Sequence, residues 1–129
     1  MKKIVISASA KLELAISKWR KILKKDFEVI AYPEQISGDL HQEYPAVHAD
    51  FYKSLFQTDV LFVLNEDKGG QKNYIGPSVF AEIAFVIGLN QTSKKQVKIL
   101  CMNPLPEDLA YSEELLLWRD LGWIEIQIL

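Results

Sequence analysis

The chain has 129 residues, room for one domain of ordinary size and too few for two. Its 49% hydrophobic and 25% charged residues exclude a disordered segment. A formal net charge of -2 and scattered basic residues argue against a nucleic-acid polymer as partner. One cysteine, Cys101, leaves no internal disulfide to form, and no stretch approaches the roughly 20 apolar residues of a membrane span. A cytoplasmic protein without a membrane partner is expected.

Lys3–Ser7 (KIVIS), rich in β-branched residues, predicts a first strand. The N-terminus MKKIVISASA starts basic, but polar residues soon end its apolar stretch, so it is a strand and not a signal peptide. Lys11–Lys25 reads as a helix, with Leu12, Ala15, Ile16, Trp19, Ile22 and Leu23 at helical spacing. Lys18, Arg20, Lys21, Lys24 and Lys25 then make its solvated face. Phe27–Tyr32 is a second strand, stopped by Pro33. His41–Gln57 is a weaker helix, with Pro45 expected in its first turn or at its start.

Asp59 precedes VLFVLN, apolar on both faces, as in a parallel strand covered on both sides. The polar loop EDKGGQKNYIGPS follows, then a helix over GPSVFAEIAFVIGLN. Val97–Met102 is a fourth strand, with Cys101 as a small buried hydrophobe. Glu107–Leu121 reads as a helix and Trp123–Leu129 as a last strand. Strict β–α alternation predicts one α/β domain over residues 1–129, a doubly wound (Rossmann-like or flavodoxin-like) five-stranded parallel sheet of order 2-1-3-4-5. Ligands of such sheets bind where the strand order reverses, here beyond the carboxyl ends of strands one and three.

The chemistry centres on Glu82, the single carboxylate in the otherwise apolar run Val79–Leu89. Gly76 suits the N-cap and Pro77 the first helical position, so Glu82 sits roughly 7–8 Å along the axis, near the switch point. Two alternatives stand: it caps a backbone group or pairs with a lysine such as Lys72, or it faces a ligand pocket. No GxGxxG, GxxxxGK[ST] or GxSxG pattern competes. His41 and His48 lack zinc spacing with cysteines and read as surface or packing residues. No metal and no cofactor is expected. Trp118 and Trp123, with Leu115–Leu117, suit either a core or an apolar interface.

The Asp59-led strand, the glycine-containing loop and the helix GPSVFAEIAFVIGLN resemble the nucleoside 2-deoxyribosyltransferase superfamily, including its 2-deoxynucleoside 5-phosphate N-hydrolase relatives. The specific part of the resemblance is Asp59–Leu89. It implies cleavage of a nucleoside or nucleotide N-glycosidic bond, with the sugar passed to another base or to water. It makes Glu82 the nucleophile, Asp50 the second carboxylate, with Asp67 as its alternative, and Gly76 and Ser78 the holders of a 5-phosphate. Tyr74 would stack on the base, Asn65 would hydrogen-bond to it, and Ser7 and Ser9 would line the turn after strand one. That turn is Ser7-Ala8-Ser9 where the family often has Tyr-x-Ala-Gly, and Asn73-Tyr74-Ile75 stands where the transferases carry an acidic residue. The resemblance further implies a homo-oligomer. The alternative from another class is a non-catalytic nucleotide-binding or sensing module on the same fold, with Glu82 as an anchor.

Overall fold

The computed structural model describes residues 1–127. Its five strands are β1 (Lys2–Ser7), β2 (Phe27–Ala31), β3 (Val60–Val63), β4 (Lys98–Cys101) and β5 (Glu125–Ile126). The helices between them are α1 (Glu13–Leu23), α2 (Leu40–Leu55), α3 (Pro77–Thr92) and α4 (Ser112–Asp120). The sheet order is β2-β1-β3-β4-β5, and every pairing is parallel. The doubly wound sheet expected from the alternation is the fold of this chain. Ile128 and Leu129, assigned above to the last strand, lie outside the described residues.

The apolar strands β1 and β3 divide their side chains between two cores at the two-residue period of a strand. Ile4, Ile6, Val60, Phe62 and Leu64 meet Ile16, Trp19 and Leu23 of α1. Val5, Leu61 and Val63 meet Leu55, Val79, Ile83, Val86, Leu115 and Trp118 of the other three helices. The Asp59 carboxylate accepts the Lys3 N–H at 2.8 Å and ties the start of β3 to β1. Lys18, Arg20, Lys21, Lys24 and Lys25 are exposed, the wet face of α1.

The structure changes several expectations. Helix α2 begins five residues before Pro45, because the Asp39 side chain caps it by accepting the Gln42 N–H at 3.1 Å. Pro45 therefore lies inside the helix, where it has no N–H for the His41 carbonyl. Helix α4 is shorter than expected: the Ser112 hydroxyl accepts the Leu109 N–H, and the residues before it form turns. Trp118 is core, stacked on Phe80 at 5.2 Å between ring centroids, whereas Leu117, Leu121 and Trp123 are exposed. At the sheet edge the β1–β2 register slips so that Ile4 faces Val29 and Val5 faces Ala31. Ile30 is left without a partner beside the crevice described next. Among the described residues no helix is long and apolar enough to cross a membrane.

Candidate functional site

The carboxyl ends of β1 and β3 open into a crevice of about 870 Å³, within the range of small-molecule sites. Ala8, Ser9 and Ala10 follow β1 along its floor, and Tyr32, Pro33 and Glu34 follow β2. The first turn of α3 supplies Gly76, Pro77 and Ser78, with Glu82 one turn deeper. Helix α2 forms the facing wall through Tyr44, Val47, His48, Phe51 and Tyr52. All residues from His41 to Asp50 are exposed, so the leading half of α2 reaches past the body of the domain and turns a side to the crevice.

Glu82 is the most perturbed carboxylate here. Its Oε1 accepts the Ser7 hydroxyl at 2.5 Å. Burial among apolar neighbours pushes the carboxyl up from 4.5 to about 7, and the Ser7 hydroxyl opposes part of that rise. No lysine pairs with it: the salt bridges among the described residues are Lys98–Glu125 and Arg119–Asp120. Of the alternatives left open by the periodicity, the lysine pair is not formed, and Glu82 bonds Ser7 and lines the crevice. Ser7, expected on the ligand side, is instead fully buried and outside the crevice lining, where its hydroxyl bonds Glu82.

Of the remaining expected site residues, Ser9, Asp50, Tyr74, Gly76 and Ser78 line the crevice. The Tyr74 ring lies over Gly76, where an added Cβ would stand 2.9 Å from the tyrosine hydroxyl oxygen. Lys68 places its ammonium 4.8 Å from the centroid of that ring. Behind this loop the hydroxyl of Tyr111, the residue before α4, donates to the Ile75 carbonyl at 2.5 Å and braces the approach to α3.

Two further expectations are corrected. Asn65 is buried, and its side chain is spent on the chain after β4: it donates to the Asn103 and Pro104 carbonyls and accepts the Asn103 N–H. Both of its N–H donors are spent on that chain. Asp67 accepts the Asn73 N–H at 2.9 Å, which holds the turn where Asn73, Gly69 and Gly70 adopt positive φ; its side chain lies outside the crevice lining. His48 is exposed and stacks on Tyr52, as expected of a surface or packing residue, and it also lines the crevice. Its signal was the i, i+4, i+8 spacing of Tyr44, His48 and Tyr52.

Cys101 is buried and its thiol is pushed up to about 12 by desolvation, the state of an inert core residue. Among the described residues no group of three His, Cys, Asp or Glu gathers to hold a metal ion. No family model, curated protein or solved structure matches the chain.

Proposed function

We propose that the protein cleaves the N-glycosidic bond of a nucleoside or nucleotide, with Glu82 as the nucleophile. The observation that carries this reading is a carboxylate sunk in an apolar helix, held by Ser7 and open to the crevice at the sheet's switch point. A Glu82 oxygen attacks the anomeric carbon as the carbon–nitrogen bond breaks, and the bonding pair leaves with the base. A second base or water then attacks the same carbon, and the carboxylate departs unchanged, as in retaining glycoside cleavage. The electrostatics suit both halves. Burial raises the energy of the free carboxylate, and esterification relieves it. The resemblance of Asp59–Leu89 to the nucleoside 2-deoxyribosyltransferase superfamily supports the same assignment. Tyr74 offers a ring to a base, and Gly76 and Ser78 at the start of α3 offer N–H groups to an anionic substituent.

The test is chromatography of a mixture of deoxynucleosides, their monophosphates and free bases incubated with wild type and Glu82→Gln. New nucleosides identify a transferase and free base with free sugar a hydrolase, and Glu82→Gln abolishes either. Unchanged pools with folded protein would refute catalysis and leave a nucleotide-binding module. Exposed Leu40, Tyr44 and Val47 on the protruding half of α2 support a homo-oligomer that covers this end of the crevice. A monomer mass by light scattering at micromolar concentration would refute it.

A further inference from the structure

Helix α2 presents two flanks at the crevice, and they are chemically different. Successive helical residues are about 100° apart, so Tyr44, His48 and Tyr52 climb one flank. Asp50 stands roughly 200° around the helix from both His48 and Tyr52. Contacts fix which flank looks toward Glu82. The Tyr52 ring meets Phe85 of α3 edge-on at 5.0 Å. The Glu82 charge also acts on the Tyr52 hydroxyl, adding to burial in raising its pKa. His48 lies one turn nearer the protruding end of α2, stacked on Tyr52 with ring centroids 4.3 Å apart and planes 20° apart. Tyr44 closes on its other side at 5.4 Å. The imidazole is therefore clamped between two tyrosines, on the wall that shares the crevice with Glu82.

We propose that His48 is the proton donor to the leaving base, an assignment that rests on the glycosyl-transfer reading of Glu82. A nucleophile below the sugar requires an acid on the side where the base departs. Of the two carboxylates expected for that task, Asp67 lies outside the crevice lining, and Asp50, which lines it, stands roughly 200° around α2 from Tyr52, the residue that meets α3. As the carbon–nitrogen bond breaks, its electron pair passes to the base. The imidazolium N–H of His48 gives its proton to that base, and neutral imidazole remains. In the second half the imidazole takes the proton of the incoming water or base as that group attacks the anomeric carbon and Glu82 leaves. The substrates this suits carry a neutral heteroaromatic base, whose departure as an anion is slow.

The experiment compares two leaving groups on the full chain. One substrate is a 2-deoxynucleoside, whose base needs a proton to leave. The other is 4-nitrophenyl 2-deoxyriboside, whose phenolate does not. General acid catalysis typically contributes 10²–10⁴-fold, so His48→Gln is expected to lower kcat on the nucleoside at least about a hundredfold. On the nitrophenyl substrate it should stay within a few-fold of wild type. Equal loss on both would mean that His48 only shapes the crevice, and would overturn the proposal. So would an undiminished nucleoside rate, or the selective loss appearing in Asp50→Asn instead. Glu82→Gln separates the two layers: the glycosyl-transfer reading requires it to fail on both substrates. A wild type inert to both would overturn that reading and the role of His48 with it.

Discussion

Ser7→Ala isolates the one interaction that favours the ionised form of Glu82 against its burial. The Ser7 hydroxyl is fully buried and donates to Glu82 Oε1 at 2.5 Å; burial pushes the carboxyl up and this hydrogen bond opposes the rise, for a net value of about 7. A hydrogen bond to a charged group is worth about 1.5–3 kcal/mol, and about 1.4 kcal/mol moves a pKa by one. Removing the hydroxyl is therefore expected to raise the acid limb of the kcat/KM–pH profile by about one to two pH units. At pH 7 the ionised fraction falls from about one half to roughly one to ten per cent, and the rate falls with it, about five- to fiftyfold. It recovers above pH 9, because the nucleophile is intact. The assay is deoxynucleoside turnover between pH 5 and 10 for wild type and Ser7→Ala. A limb that stays in place with the rate reduced evenly at every pH would refute the reasoning, since Ser7 would then act through packing and not through the charge of Glu82.

Glu82→Gln is expected to stabilise the fold at high pH. The folded chain keeps a proton on Glu82 up to about 7 that the unfolded chain releases near 4.5, so wild type loses stability as pH rises through that window. The loss reaches at most about 3 kcal/mol, so Tm of Glu82→Gln exceeds that of wild type at pH 8 and matches it near pH 4; equal Tm values at pH 8 would contradict the burial of the charge. Asn65→Ala removes three buried side-chain hydrogen bonds and is expected to cost about 2–4 kcal/mol in urea unfolding, with KM unchanged; a selective rise in KM would return Asn65 to the binding site. Gly76→Ala drives a Cβ against the Tyr74 ring, 2.9–3.2 Å from three of its atoms, and is expected to raise KM by displacing the ring; an unchanged KM would show that Tyr74 does not contact the substrate. Cys101, buried and pushed up to about 12, is expected to react with an aromatic disulfide reagent only as fast as the chain unfolds; rapid labelling of the native protein would contradict its place in the core.

The topology was legible because the strands and helices carry different apolar periods. VLFV is apolar on both faces, which only a strand between two helical layers requires. That inference set β1 beside β3, and so placed Ser7 and Glu82, 75 residues apart in sequence, at one switch point. Their hydrogen bond was not itself legible, since it depends on the depth of Glu82 in the helix. The span of α2 was legible to within two residues, but Pro45 falls in its second turn and not its first, because the Asp39 cap that opens the helix is a single side-chain contact. Asn65 was misassigned for a different reason. At the end of β3 a polar residue has two neighbouring strands to turn toward. The sequence does not say that Asn65 turns to the chain after β4, away from the β1 side where the crevice opens.

The same geometry explains why one carboxylate persists in so apolar a helix. α3 packs Val79, Ile83, Val86 and Ile87 into the core, and Phe80 and Phe85 against aromatic partners from α4 and α2. Little of its circumference is left for water. Near the helix start Ser78 and Ala81 are exposed, whereas Glu82, half-buried, lines the crevice. Aspartate there would be one methylene shorter, and alanine would leave the buried Ser7 hydroxyl without an acceptor. Glutamate reaches the hydroxyl and keeps a second oxygen for whatever occupies the crevice. Its burial pushes the carboxyl up to about 7, so protonated and ionised forms coexist near neutral pH. A ligand that brings positive charge to the anomeric carbon favours the ionised form, so the group that stabilises the transition state is charged most fully when that charge develops. A neutral anchor for a sugar hydroxyl would show no such coupling. Proton uptake or release on ligand binding, measured in two buffers of different ionisation enthalpy, is therefore the thermodynamic counterpart of the turnover assays. Proton release near pH 7 is expected for a ligand with a cationic centre at the anomeric position, and none for the neutral sugar analogue; equal release by both would mean that Glu82 responds to occupancy and not to charge.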